Sequence, residues 1–170
     1  MMTTAIDMGL LFVRVTIGMT LAAHGYAKIF QGGRLAGTAR WFDSIGMRPG
    51  RVHAPLAAFT EIGAGVLFAV GLLTPLAAAA MIALMVVAAW TVHRDSGFFI
   101  VGNGWEYNFV IACVAVGVAL TGAGGLSVDN LIGLGSTVGQ WWGLAIALIV
   151  GLGAGVGQLV LFFRPPTPAD

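Results

Sequence analysis

Five long apolar runs, interrupted by very few charges, dominate this chain. They cover approximately residues 8–30, 55–73, 75–93, 105–121 and 141–163. A helix needs roughly 20 mostly apolar residues to cross a bilayer. Charged residues make up 9% of the 170 residues, whereas a soluble domain has about 25%. The sequence therefore predicts an all-α integral membrane protein, and its near-zero net charge gives no reason to expect nucleic acid as a partner.

The breaks between the runs predict how the helices connect. Thr74-Pro75 separates the second run from the third so briefly that the two should form a tight hairpin. We expect residues 1–126 to form a four-helix transmembrane bundle and residues 127–163 to add a Gly-rich connection and a fifth C-terminal transmembrane helix. Residues 164–170 are expected to be a disordered tail.

Two connections are long. In the first, residues 36–45 carry Trp41 and Phe42 among arginines, which favours a short helix lying in the membrane interface. An ordinary polar loop is the alternative. In the second, Ser127 has the character of a helix N-cap before a short apolar segment.

Arginines cluster on one side of the predicted bundle, which we call the arginine face. With five spans, this face carries Arg34, Arg40, Arg48, Arg51, Arg94 and Arg164. Cytoplasmic loops of membrane proteins are enriched in Lys and Arg. The pattern predicts a multi-pass protein of the cell inner (plasma) membrane, with the N-terminus outside and the C-terminus cytoplasmic.

Four ionisable residues, one in each of the first four runs, lie toward the arginine face: His24, Glu61, His93 and Glu106. His24 and Glu61 are each six residues from a helix end, or roughly 9 Å deep. An ionisable group at membrane depth is costly and marks a functional site by default. A purely structural polar network is the alternative, and His93 and Glu106 are close enough to helix ends to be solvated there.

Neighbouring polar residues extend this candidate site. Lys28 shares a helix face with His24, and Tyr107 and Asn108 follow Glu106, so these three are candidate ligand-binding residues. Arg14 is a further candidate, although ten residues before His24 place it roughly 15 Å nearer the opposite face. Glu61 needs a partner such as Lys28, Arg14 or a histidine, a bound cation, or a proton.

Several chemistries are compatible with two histidines and two carboxylates. They could bind a single metal ion, and two histidines could ligate haem, whereas the Glu-x-x-His pairs of di-iron bundles are absent from the sequence. A quinone headgroup would suit an apolar cleft with a few proton-exchanging groups. The sequence does not identify metal ligands. It favours quinone as the cofactor over haem or a metal ion.

The first four runs carry an ordered set of short motifs: Arg14-Val-Thr-Ile-Gly18, His24-Gly25, Lys28-Ile-Phe30, Glu61-Ile-Gly63-Ala-Gly65, Gly71-Leu-Leu-Thr-Pro75, Thr91-Val-His93, Gly97-Phe98-Phe99 and Glu106-Tyr107-Asn108. This set resembles the DoxX family of bacterial and archaeal membrane proteins. The resemblance covers roughly residues 8–126. It implies a four-helix bundle and a link to quinone-dependent oxidoreductases.

Three functions follow as hypotheses. The first is a membrane subunit of a redox complex, in which His24, Glu61, His93 and Glu106 carry proton or electron chemistry. The second is a non-catalytic accessory subunit that anchors a larger membrane complex, with the Gly151, Gly153, Gly155 and Gly157 stripe packing within the chain or against another. The third is a small-solute transporter. Whether the chain is an enzyme stays open.

Overall fold

The structure, a computed structural model, describes residues 4–135 and 140–165. Within these ranges the chain is all-α, as expected. Its α-helices are α1 (Ala5–Phe30), α2 (Arg34–Ser44), α3 (Gly50–Val70), α4 (Thr74–Ala88), α5 (Glu106–Thr121), α6 (Val128–Leu131) and α7 (Gln140–Phe162). The part of the predicted disordered tail from residue 166 onward lies outside the described residues.

Four of these helices are long and apolar enough to cross a membrane. They are α1, α3, α7 and the stretch Thr74–Ser96, in which α4 continues through a π-helical turn (Ala89–His93) and a 3₁₀ turn (Arg94–Ser96). The fifth apolar helix, α5, has 16 residues, or about 24 Å, which is shorter than the roughly 30 Å hydrocarbon core. The predicted fold class is confirmed, with α5 as the short member of the bundle.

Local sequence signals explain where the helices begin and end. Thr4 and Asp7 form a capping box at the start of α1. Gly71 ends α3 in the left-handed conformation, with φ +68°, and Pro75 lies in the first turn of α4. Ser127 caps α6 through its side chain, as predicted.

Small residues let the helices of the bundle approach closely. Gly18 of α1 lies against the backbone of Gly65 in α3, so that a Cβ on either glycine would meet the other's carbonyl oxygen. Further along α1, Gly25 lies against the carbonyl of Ala58 in the same way. Helix α4 then packs against α3, α5 and α7, around a core that includes Phe68, Met81 and Ile111.

Helix α7 is an integral part of the bundle. Gly151 and Gly155 lie against the backbone of α4 at Ala79 and Ala83. A Cβ at Gly153 or Gly157, in contrast, would meet no atom of the described chain within 4 Å. The Gly151 and Gly155 pair therefore packs against α4, while the overlapping Gly153 and Gly157 pair faces outward.

The end of α7 is joined to the connection between α2 and α3. Phe163 forms an isolated antiparallel bridge with Met47, and the backbone N–H of Arg164 donates to the carbonyl of Gly46 at 2.7 Å. Nearby, the Arg94 guanidinium lies 5.7 Å from the centre of the Phe163 ring. The arginine-bearing segments 45–48, 94–96 and 163–164 thus meet at one end of the bundle.

Candidate functional site

A partly open cavity of about 560 Å³ lies among the helices of the bundle, toward the arginine face. Helices α1, α3, α4, α5 and α7 all contribute to its wall, and Trp41 and Phe42 of α2 contribute from the connection. Most of the lining is apolar, with alanines of α4 and leucines of several helices. The polar lining residues are His24, Lys28, Thr60, Glu61, Thr91, His93, Asn108 and Gln158, together with the amphipathic Tyr107.

An ion pair joins α1 to α3 at the cavity wall. Lys28 Nζ donates to both carboxylate oxygens of Glu61, at 2.7 Å each. Glu61 is buried, with 8% of its surface exposed, so the lysine supplies the opposite charge that a carboxylate at this depth requires. Gly25 makes the pair possible, because a side chain there would meet Glu61 and push the two helices apart.

His24 and Tyr107 bring α1 and α5 together next to this pair. Their ring centres are 6.1 Å apart. His24 lines the cavity and is also exposed on the outer surface of the bundle, so it lies at the edge of the cavity. Asn108, which is buried, donates to Met85 Sδ at 3.6 Å, and its Oδ1 has no partner in the described ranges.

His93 reaches the cavity from the end of α4. It closes the π-helical turn Ala89–His93, a rare local geometry that is common at functional sites. Its Nδ1 lies 2.7 Å from the carbonyl oxygen of Asn103. This contact leaves Nε2 as the nitrogen available to a ligand.

Glu106, the fourth residue of the predicted layer, does not line the cavity. Its Oε2 accepts a hydrogen bond from the backbone N–H of Ile100 at 2.9 Å, and its own N–H donates to the carbonyl of Phe98 at 2.8 Å. Glu106 thus closes the loop 97–105 before α5, and its carboxylate shapes that loop.

Arg14 also lies away from the cavity, near the opposite face, as depth counting predicted. It is fully buried, and its Nη2 donates to the carbonyl of Leu126 at 2.5 Å. Asp129 is close enough to interact electrostatically, and within residues 4–135 and 140–165 the Arg14 Nε and Nη1 have no hydrogen-bond partner. Arg14 therefore helps fasten the 122–135 connection to α1.

Sequence reasoning missed two polar residues beside the cavity, His53 and Gln158. His53 is 2% exposed, and its Nδ1 lies 3.1 Å from Nε2 of Gln158. The sequence placed His53 in a loop before the second apolar run. Gln158 could have been singled out from the sequence, because it is the sole hydrogen-bonding side chain between Trp142 and Arg164.

The described residues also bear on metal binding. Among residues 4–135 and 140–165, no group of three or more His, Cys, Asp or Glu side chains is arranged to hold a metal ion. His24 and His93 both line the cavity, while Glu106 is engaged in the loop 97–105.

Comparison with protein-family models identifies a family. The DoxX family model matches residues 9–94, just over half of the chain, from the first turns of α1 to Arg94 near the end of the Thr74–Ser96 stretch. No curated protein and no solved structure matches the chain. The matched region holds Lys28 and Glu61 and stops before α5 and α7, which complete the cavity wall. The chain is therefore a member of the DoxX family of membrane proteins.

Proposed function

We propose that this protein is the membrane subunit of a redox complex and that its cavity binds a quinone headgroup. One observation carries the proposal: a mostly apolar cavity of about 560 Å³ has the Lys28–Glu61 ion pair and His24 on its wall. Small-molecule sites are typically about 300–1,000 Å³, mostly apolar, with a few placed polar groups.

The lining suits the chemistry of a quinone. The ring would pack against the alanine and leucine side chains and the Trp41 and Phe42 rings, and its carbonyl oxygens would accept hydrogen bonds from the Lys28 ammonium or an imidazole. A quinone supplies two-electron chemistry coupled to proton uptake. Groups able to hold and release a proton beside the ring are therefore needed. Glu61, which belongs to the ion pair, and His24, four residues before Lys28 on α1, both line the cavity.

His24 has the position expected of a proton-exchanging residue. It is exposed at the surface and lines the cavity, whereas Glu61 is enclosed and held by Lys28. In this proposal His24 exchanges the proton at the edge of the cavity, and Lys28 and Glu61 balance charge in the interior.

The test is binding by the purified full-length protein. Organic extraction would identify any co-purified quinone, and titration with a short-chain ubiquinone would be followed by tryptophan fluorescence, because Trp41 lines the cavity. We expect Glu61→Gln and Lys28→Met each to weaken binding about tenfold, because each removes one charge of the ion pair. The loss of a hydrogen bond to a charged group has an effect of this size. Asp95→Asn, an exposed acidic position, serves as the matched control.

Two results would overturn the proposal. One is the absence of quinone binding in the unaltered protein. The other is a visible spectrum or elemental analysis that shows stoichiometric haem or metal, since the cavity would then hold a different cofactor.

A second candidate function, an accessory subunit that anchors a larger complex, is favoured by the outward glycines of α7. Gly153 and Gly157 have the spacing of a close-packing helix pair and no neighbour in the described chain. Gly153→Leu should release a co-purifying partner while leaving quinone binding intact. Gly9→Leu is the control, because Gly9 also has open space but lies on α1.

A further inference from the structure

His53 and Gln158 form a polar pair at the junction of α3 and α7. His53 Nδ1 lies 3.1 Å from Gln158 Nε2, and the imidazole packs edge-on against Phe162, with 4.8 Å between ring centres. His53 Nε2 is buried and has no hydrogen-bond partner in the described parts of the chain. The ring is therefore held by one polar contact and by packing.

Gln158 is the polar group that α7 contributes to the cavity. The other α7 residues in the lining, Val150 and Ala154, are apolar. One amide atom of Gln158 is directed at His53. The other has no protein partner among the described residues, and it is not buried. Because Gln158 lines the cavity, this atom is available to a ligand there.

We propose that Gln158 is a ligand-recognition residue of the cavity and that His53 is the positioning residue that decides which amide atom Gln158 presents. This inference rests on the proposed quinone site. It gives α7, which lies outside the matched family region, a direct role in ligand binding.

The pair can exist in two hydrogen-bonded arrangements. If His53 carries its proton on Nε2, the Nδ1 lone pair accepts from the Gln158 NH₂, and the amide oxygen faces the cavity. If the proton is on Nδ1, that N–H donates to the amide oxygen of a flipped Gln158, and the NH₂ faces the cavity. Because Nε2 has no other partner in the described chain, exchange between the two breaks no further hydrogen bond.

These arrangements match the two forms of a quinone. A quinone carbonyl oxygen needs a donor, which the NH₂ supplies, and a quinol hydroxyl needs an acceptor, which the amide oxygen supplies. The site would then hold both redox forms with one hydrogen bond each from Gln158. An apolar side chain at position 158 would form no hydrogen bond with either form.

The experiment measures the Kd of ubiquinone-1 and of ubiquinol-1 on the purified full-length protein. Gln158→Leu should weaken both about tenfold, the effect of removing one hydrogen bond from a desolvated site. Gln31→Leu, at an exposed glutamine after α1, should leave both constants unchanged. Elution volume and thermal melting identify a misfolded variant, and Gln158→Met then replaces Gln158→Leu.

His53 is tested by a pair of substitutions. His53→Phe removes the hydrogen bond and should weaken both forms several-fold, while His53→Asn keeps a polar atom near the Nδ1 position and should restore most of the affinity. Equal losses in the two variants would overturn the positioning role.

The outcomes separate this inference from the proposed function. Normal binding by Gln158→Leu, with unaltered protein that binds both forms, overturns the inference alone. Failure of the unaltered protein to bind either form overturns the proposed function and this inference together.

Discussion

Lys28 Nζ lies 2.7 Å from both carboxylate oxygens of Glu61, so a bidentate ion pair ties α1 to α3 at the cavity wall. The two residues are 33 positions apart in the chain. The pair places a compensated charge in an apolar layer, where an uncompensated one would be costly. It is therefore both a structural link and the polar centre of the candidate site.

The first prediction concerns this pair. Lys28→Met should destabilise the protein by about 2 kcal/mol, below the roughly 3–5 kcal/mol of a fully buried pair, because the lysine side chain keeps 21% of its surface exposed. The double variant Lys28→Met/Glu61→Gln should regain part of this loss, since it removes the unpaired carboxylate. Unfolding in SDS, analysed as a double-mutant cycle, measures the coupling; additive losses would contradict a direct interaction.

The second prediction concerns the start of α4. The Asp129 carboxylate accepts hydrogen bonds from the N–H of Leu73, the N–H of Thr74 and the Thr74 hydroxyl, at 2.7–3.0 Å. It thus caps α4 from a distant part of the chain. Asp129→Ala should lower stability by about 2 kcal/mol, at the upper end for a lost cap. Asp95→Ala, at an exposed acidic position, should change the melting temperature little, and equal shifts in the two would refute the cap.

The third prediction concerns Gly71. Its φ of +68° is left-handed, and a Cβ would overlap the Arg14 guanidinium. Gly71→Ala should therefore destabilise strongly, by about 2 kcal/mol or more, because it combines backbone strain with displacement of a buried arginine. Gly63→Ala is the control: Gly63 is helical with open space around it, so that change should be neutral or stabilising by up to about 1 kcal/mol.

The fourth prediction links helix packing to the site. A Cβ at Gly25 would meet Ile62 Cγ1 at 2.8 Å and Glu61 Cβ at 3.0 Å. Gly25→Ala should separate α1 from α3, weaken the Lys28–Glu61 pair and reduce quinone binding along with thermal stability. Gly9→Ala, where a Cβ meets nothing within 4 Å, should preserve both. Unchanged binding in Gly25→Ala would show that the close approach is not required for the site.

Much of the fold could be read from local patterns. Long apolar runs predict helices, and their breaks at Gly71 to Pro75 and at Ser127 predict turns and caps, because both depend on residues close together in the chain. The interfacial stretch 36–45 was predicted as a helix and is found as one at Arg34–Ser44. Its position relative to a membrane stays a prediction.

The candidate site was accessible to sequence reasoning in part. Depth counting along the helices placed His24, Lys28, Glu61 and His93 toward one face, and all four line the same cavity. It could not decide whether Glu106 or Tyr107 faces the cavity, since consecutive side chains on a helix point about 100° apart. That rotation, with the fold of the loop 97–105, directs Glu106 to Ile100 and Tyr107 to the cavity.

The sequence by itself determined the class of protein, the helices, the arginine face and the family, because hydropathy, turn residues and short motifs are local properties. Only the tertiary structure decided which polar groups meet. His53 and Gln158, 105 positions apart, become neighbours because α7 ends beside the start of α3. Asp129 and Thr74, 55 positions apart, meet because the last connection folds over the α3–α4 turn. Such contacts arise from the packing of whole helices, which no single segment encodes.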